Sequence, residues 1–247
     1  MINIGLKMRL RIYLKSENGK LHIPFNYNHI ISAIIYNKIA DLELAKKIHD
    51  SKSYKYFTFS QLEIDNFKLL KKGFLSENGK IKFIISSPSE NLIKNLVNGF
   101  LDGLTVNFMN EKLTVEKIEL MRELDLTTKL NTKSLSPLIS RIKKEVDGKI
   151  KIWDLAPGEH FFKNLENNLI NKYLEYNALD ETDKQIKISS EMRNVKGKRI
   201  SLKNGNVTTF HRAYMMDLIL EGDFDLIKFG YDAGIGEKCG MGFGLVK

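Results

Sequence analysis

The chain has 247 residues, 43% of them hydrophobic and 28% charged, which excludes a disordered or low-complexity protein and allows one large domain or two of roughly 120 residues. Lysine and arginine number 39 against 30 acidic residues, a formal charge of +9 that favours polyanionic partners, nucleic acid first among them. One cysteine, Cys239, excludes an intramolecular disulfide and a cysteine-based zinc site and suits a reducing cytoplasm, and the lack of any apolar run near the ~20 residues of a membrane span sets the membrane aside as a partner.

Residues 6–14 alternate apolar with basic or polar side chains, as a strand with one buried face does. A helix follows from Tyr27, with Ile30, Ile31, Ile34, Ile35 and Ile39 on one side of the helical wheel and Tyr36 roughly opposite. Strands are expected at 55–60 and 81–86, then a capping box, Ser87-Pro88-Ser89-Glu90, opens a helix that carries Leu92, Ile93, Leu96, Val97, Phe100 and Leu101 on one face. That helix stops near Gly103 and a strand at 113–120 follows, so the order is β-α-β-β-α-β.

The second half reads in the same order. It has a strand within 124–140, a helix at 159–176, a strand near 186–191, two strands across 198–220, a helix at 223–233 and a short strand at 242–246. Asn204-Gly205 is the strongest short hairpin signal in the chain. The two second helices end alike, Gly99-Phe100 before Gly103 and Gly230-Tyr231 before Gly234, which suggests a duplicated unit. The expected fold is α+β, with tandem ferredoxin-like domains of RNA-recognition-motif topology over 1–122 and 123–247.

Between the last helix and the last strand stand Gly234, Gly236, Gly240, Gly242 and Gly244, with Lys238 among them. Such a loop lets backbone approach a ligand closely, or simply permits a turn that closes a sheet. It is neither a dinucleotide fingerprint nor a P-loop: Cys239 occupies the third glycine position, no helix follows, and no Gly-Lys-Ser/Thr is present. Arg193, Lys196, Lys198, Arg199 and Lys203 form an acid-free basic stretch suited to phosphates, with a second cluster at Arg141, Lys143 and Lys144. The five histidines include no pair spaced as metal ligands on a helical turn, so no metal site is expected. By position alone His49 complements a helix C-terminus, Tyr36 is a surface aromatic and Lys55 an exposed strand residue.

The segments Ile23-Pro24-Phe25-Asn26-Tyr27, Ile35-Tyr36-Asn37, Leu44-Ala45, Ile48-His49-Asp50 and Lys55 to Ser60 resemble the sixth CRISPR-associated protein family, part of the repeat-associated mysterious protein superfamily. Residues 226–231 and 234–244 resemble its C-terminal glycine-rich signature. The resemblance implies a catalytic set of Tyr36, His49 and Lys55, no cofactor, and metal-independent cleavage of CRISPR precursor RNA within its repeats. The 2′-hydroxyl would attack the adjacent phosphate, leaving a 2′,3′-cyclic phosphate and a 5′-hydroxyl. Histidine can accept or donate a proton near neutrality, lysine can stabilise the phosphorane charge, and tyrosine can position the 2′-hydroxyl or supply a proton. His29, seven residues before Tyr36 on the same helical face, is a further histidine near the set. The glycine loop and the basic stretch would grip a single-stranded or weakly hairpinned repeat RNA, and a CRISPR interference complex is the implied larger partner. A noncatalytic RNA-binding subunit of the same superfamily is the second reading, and a small-molecule-binding ferredoxin-like protein the third.

Overall fold

The alternation near the N-terminus forms strand β1, Arg9–Ser16, whose Leu10, Ile12 and Leu14 are fully buried. The structure is a computed structural model. It describes residues 8–50, 53–122, 124–204 and 207–247, without the side chains at 49, 50, 203, 204 and 207.

After β1 come β2, Leu21–Pro24, and helices α1, Asn28–Asn37, and α2, Leu42–Asp50. Strands β3, Thr58–Phe59, β4, Phe67–Leu70, β5, Gly73–Ser76, and β6, Lys80–Ser86, follow, then helix α3, Glu90–Asp102, and the hairpin of β7, Thr105–Phe108, and β8, Glu111–Leu120. One five-stranded sheet runs β3-β6-β1-β8-β7, its first four members in ferredoxin order, while β2, β5 and β4 make a small separate sheet. Helices α1 and α3 bury their isoleucine and leucine faces against the large sheet in one core that holds Ile31, Ile35, Phe57, Phe83, Leu96 and Phe100.

Two local expectations shift. Ser89, not Ser87, caps α3, its Oγ accepting from the Leu92 amide at 3.2 Å. Pro88 gives its neighbour Ser87 a different role: Ser87 Oγ accepts from the Ser89 amide and donates to the Tyr56 carbonyl at 2.6 Å. Glu90, freed from the box, pairs with Lys94 one turn on. The strand expected at 55–60 is reduced to β3, because before Thr58 the partner of the Tyr56 carbonyl is the Ser87 side chain rather than a strand amide.

The C-terminal half contains β9, Lys129–Lys133, the hairpin β10, Arg141–Val146, with β11, Lys149–Asp154, then α4, Glu159–Tyr176, and β12, Ile186–Ser189. Strands β13, Lys196–Asn204, β14, Val207–Met215, and β15, Asp217–Gly222, lead to helix α5, Phe224–Ala233. The stretch 198–220 thus holds three strands where two were expected. Asn204 pairs with Val207, so the hairpin closes at the Asn-Gly step, though 205 and 206 lie outside the described residues. The sheet order β12-β15-β9 repeats that of the first half. Its fourth member, expected at 242–246, is only a bridge between Ser134 and Val246, because Gly242 and Gly244 sit at φ of 78° and 82° and break extended geometry. The molecule is therefore a tandem of ferredoxin-like units.

A second core, with Phe161, Leu165, Leu169, Leu220 and Ile227, lies under α4 and α5. Arg9 clasps the two halves. Its buried guanidinium donates to the carbonyls of Val246 at 2.7 Å and Tyr231 at 2.5 Å and stacks on the Tyr231 ring. Burial lowers its pKa to about 10, which leaves it charged at neutral pH. No helix among the described residues is long and apolar enough to cross a membrane.

Candidate active site

Helix α1 buries Ile30, Ile31, Ile34 and Ile35 and turns His29, Ala33 and Tyr36 away from that core, one stripe at positions i, i+4 and i+7. Tyr36 is half-buried nonetheless, because its ring meets the edge of Phe57 with centroids 5.5 Å apart and planes at 85°. Burial pushes its hydroxyl up to about 12, so it remains protonated throughout the neutral range.

Lys55 stands two residues before Phe57, on the same face of the extended chain. Its Nζ donates to the carbonyl of Ile48 in the last turn of α2. Helix carbonyls there have no intrahelical partner and carry partial negative charge, so the lysine is held against a natural cation site. His49 follows Ile48 in that turn. Its backbone belongs to α2, and its side chain lies outside the described residues.

The glycine-rich loop closes over this group. Ser32 Oγ, buried in α1, donates to the Gly240 carbonyl at 3.0 Å, Asn28 Nδ2 donates to that of Met241 at 2.8 Å, and Thr58 Oγ1 to that of Phe243 at 2.7 Å. Gly240 lies directly on the Lys55 stem and the Phe57 ring, and at Gly242 any β-carbon would collide with Phe59. All five loop glycines are buried against protein, and the loop reaches solvent partly at Glu237, Lys238 and Met241. Lys238 sits in a left-handed conformation, its pKa lowered by burial and then by Arg141, against which Glu237 and Asp154 act. Arg141 is itself ion-paired with Glu237, and nearby His211 lies buried beside Asp154 at 3.4 Å.

The structure separates the expected basic residues. Lys196, Lys198 and Arg199 lie on β13, which packs beside α1. Lys198 Nζ donates to Gln61 Oε1 at 3.1 Å, and the Ser201 amide to Asn26 Oδ1 at 3.3 Å. Lys203 is on the same strand, its side chain not described. Arg193 is elsewhere, exposed, paired with Glu191 at 3.5 Å, and lining a different cleft with Lys133, Asp217 and Lys247. Among the described residues no group of three or more histidines, cysteines or carboxylates could hold a metal ion.

Several residues that build the site escaped the sequence reading. Asn28 and Ser32 are polar side chains four apart on an isoleucine-rich helix, a signal that their face meets backbone rather than core. Lys172 continues the apolar stripe Phe161, Leu165, Leu169 of α4 and is 1% exposed. Its Nζ donates to the carbonyls of Gly234 at 2.5 Å and Gly236 at 3.2 Å, tethering the loop from below.

Comparison with known proteins agrees with this architecture. Residues 22–119 match the family model for CRISPR-associated protein Cas6, N-terminal, and residues 119–247 that for CRISPR associated protein Cas6, C-terminal. The chain is 35% identical over 243 residues to CRISPR-associated endoribonuclease Cas6 1 of Methanocaldococcus jannaschii, covering 97% of this chain and 92% of the relative. It is 27% identical to the endoribonuclease-like protein Cas6nc of Pyrococcus horikoshii, covering 97% and 99% of the two chains. A solved structure of a RAMP protein binding different RNA substrates superposes with a TM-score of 0.82 at 27% identity, covering 97% and 98%.

Proposed function

The chain belongs to the Cas6 family of CRISPR-associated repeat-RNA endoribonucleases, and we propose that it cuts precursor CRISPR RNA within the repeats by a metal-independent transesterification. One observation carries this reading. Tyr36, Lys55 and the turn of α2 that bears His49 converge around Phe57, from three separate stretches of chain, under a loop whose Gly240 leaves room for nothing between itself and Lys55.

In the proposed reaction the 2′-hydroxyl attacks the adjacent phosphorus as its proton leaves, a phosphorane forms, and the 5′-oxygen departs with a proton. The products are a 2′,3′-cyclic phosphate and a 5′-hydroxyl. His49 moves one of these protons, a role imidazole suits because its reference pKa lies near neutrality. Lys55 stabilises the extra phosphorane charge. Its bond to the Ile48 carbonyl fixes where the ammonium stands, at the end of α2 that carries His49. Tyr36, protonated, donates a hydrogen bond to the 2′-hydroxyl or to the leaving oxygen. Lys196, Lys198, Arg199 and Lys203 of β13 hold phosphates, with Lys238 at the partly exposed tip of the glycine loop; Arg193, paired with Glu191 on a second face, stands outside this set. The guide RNA passes to a CRISPR interference complex.

The test is incubation with CRISPR repeat RNA in excess chelator, with identification of the ends. A cyclic phosphate and a 5′-hydroxyl are expected, and a 2′-deoxy substitution at the cut should block the reaction. His49→Ala should abolish cutting while repeat RNA still binds. Cutting by that variant at the wild-type rate refutes the assignment, and a wild-type chain that binds without cutting establishes the noncatalytic reading instead.

A further inference from the structure

A cleft of 440 Å³ opens between the β2-β5-β4 sheet and strand β13, within the ~300–1,000 Å³ that small-ligand sites span. One wall is aromatic. Phe25 and Phe67 are 45% and 50% exposed, an unusual outlay of phenyl surface on a chain with a well-filled core nearby. Phe74 stands between them and holds both edge-on, at 5.2 Å and 89° to Phe25 and at 5.4 Å and 86° to Phe67. The two exposed rings are therefore fixed in direction rather than free to collapse onto the surface.

The other wall is cationic. Among the described residues Lys198 has Gln61 as its hydrogen-bond partner and no carboxylate, and burial and neighbouring Lys196 lower its pKa. Arg199, beside it, stacks on exposed Phe210 with 4.5 Å to the ring centroid. Asn26 spends its side-chain oxygen on the Ser201 amide, which keeps its amide donors for another partner. Exposed phenyl rings across a cleft from Lys198 and Arg199, neither of which has a carboxylate partner among the described residues, match the two halves of a nucleotide, a π-face and a phosphate.

We propose that this cleft takes an unpaired nucleobase of the RNA, stacked on Phe25 and Phe67, with its phosphate on Lys198 and Arg199. The cleft adjoins Asn28, the first residue of α1, and Tyr36 lies eight residues along that helix, about 12 Å away. A strand anchored here by one splayed base runs along α1 and enters the cleavage site a few nucleotides later. The cleft would thereby set where the phosphodiester sits relative to Tyr36 and Lys55. Stacking tolerates any base, and the Asn26 amide adds a preference for a base edge that accepts.

This inference rests on the RNA-cleaving reading for its ligand class, and its test is arranged so that the two can fail separately. The probe is a single-stranded repeat RNA carrying 2′-O-methyl groups throughout, which has no attacking hydroxyl, with each position in turn made abasic. For the wild-type chain one or two abasic positions should weaken binding about 5- to 150-fold, the range expected for losing one stacked base. In a Phe25→Leu/Phe67→Leu variant the intact RNA should already bind that much more weakly, and those positions should lose their effect, while Phe25→Tyr should restore it. Both rings are half-exposed, so these variants leave the core untouched. An identical abasic profile in wild type and the leucine variant overturns the proposal, as does preferential binding of a peptide or apolar small molecule in the cleft with no effect on RNA. A chain that shows the abasic signature yet cuts no RNA leaves the cleft standing and removes the nuclease reading alone.

Discussion

Gly240 lies in van der Waals contact with Lys55: a β-carbon on the glycine would stand 2.8 Å from Lys55 Cβ and 3.1 Å from its Cγ. The C-terminal loop thus sets the position of a lysine that is 185 residues away in sequence and proposed to meet the phosphorane. Gly240→Ala should push that stem aside by several tenths of an ångström, at an overpacking cost of about 1–3 kcal/mol. Displacement of a catalytic group by such amounts can lower rates toward ~100-fold. Single-turnover cleavage should therefore fall about 10- to 100-fold while RNA affinity changes little. An unchanged rate in a folded variant would show that Lys55 does not work where it stands.

The buried hydroxyl of Tyr36, pushed up to about 12, makes a pH prediction with a definite sign. A solvent-exposed tyrosine ionises near 10. Folding raises that value, so the native state holds the proton longer than the unfolded chain. The resulting stability is fully present below pH 10 and is lost as pH rises from about 10 through about 12. The cleavage rate should accordingly show no tyrosine limb up to pH 10, and Tyr36→Phe should lower it at every pH by a similar factor, about 100-fold or more. A limb near pH 10 that disappears in Tyr36→Phe would contradict a protonated, donating role.

Where secondary structure repeats a simple pattern, it was legible. The alternation expected over 6–14 became β1 from Arg9 onward, residues 6 and 7 lying outside the described residues, the helix at 159–176 became α4 with those bounds, and the Asn204-Gly205 signal falls where Asn204 pairs with Val207. The β10–β11 hairpin was not, because it is a two-stranded ribbon with Ile150, Ile152 and Trp153 exposed, so no buried face imposes a period-two pattern. The last strand failed for the opposite reason: Leu245 and Val246 look like strand, but the neighbouring glycines adopt positive φ to pass Phe59 and the backbone of Ile235. At the site, the helical wheel turned Tyr36 from the core, yet its half-burial depends on Phe57, a contact across 21 residues. The loop glycines read either as a surface for a ligand or as a turn that closes a sheet, and they lie buried, each against a part of the protein that local sequence does not name.

Lys172 supports the same loop from the opposite side, and its removal should be costly. Lys172→Met leaves the carbonyl of Gly234 without its buried donor, at about 1–3 kcal/mol, while that of Gly236 keeps the Cys239 thiol at 3.3 Å; the loss is partly offset by no longer burying an ammonium. A net loss of about 1–2 kcal/mol is expected, and at roughly 2–4 °C per kcal/mol for a chain of this size the melting midpoint should drop about 2–8 °C. Cleavage at a temperature where the variant is folded should also fall, because the loop that carries Gly240 over Lys55 loses its tether at Gly234 and Gly236. Normal cleavage with lowered stability would separate the fold of the loop from its function.

The separation of the basic residues leads to a prediction about salt. For single-stranded RNA each phosphate contact contributes about 0.7 to the slope of log affinity against log salt. Lys198 and Arg199 border the cleft beside α1, whereas Arg193 pairs with Glu191 and lines another surface that also carries Asp217. Lys198→Gln and Arg199→Gln should each flatten the slope by about 0.7, and together by about 1.4, while Arg193→Gln should leave it close to the wild-type value. The measurement is repeat-RNA affinity between low and moderate salt for all five chains, wild type and double variant included, with 2′-O-methyl RNA so that cutting does not intervene. Equal losses at Arg193 and Lys198 would mean that the strand crosses both clefts. A slope near zero in the wild type would mean that phosphates are not what the +9 charge of this chain meets.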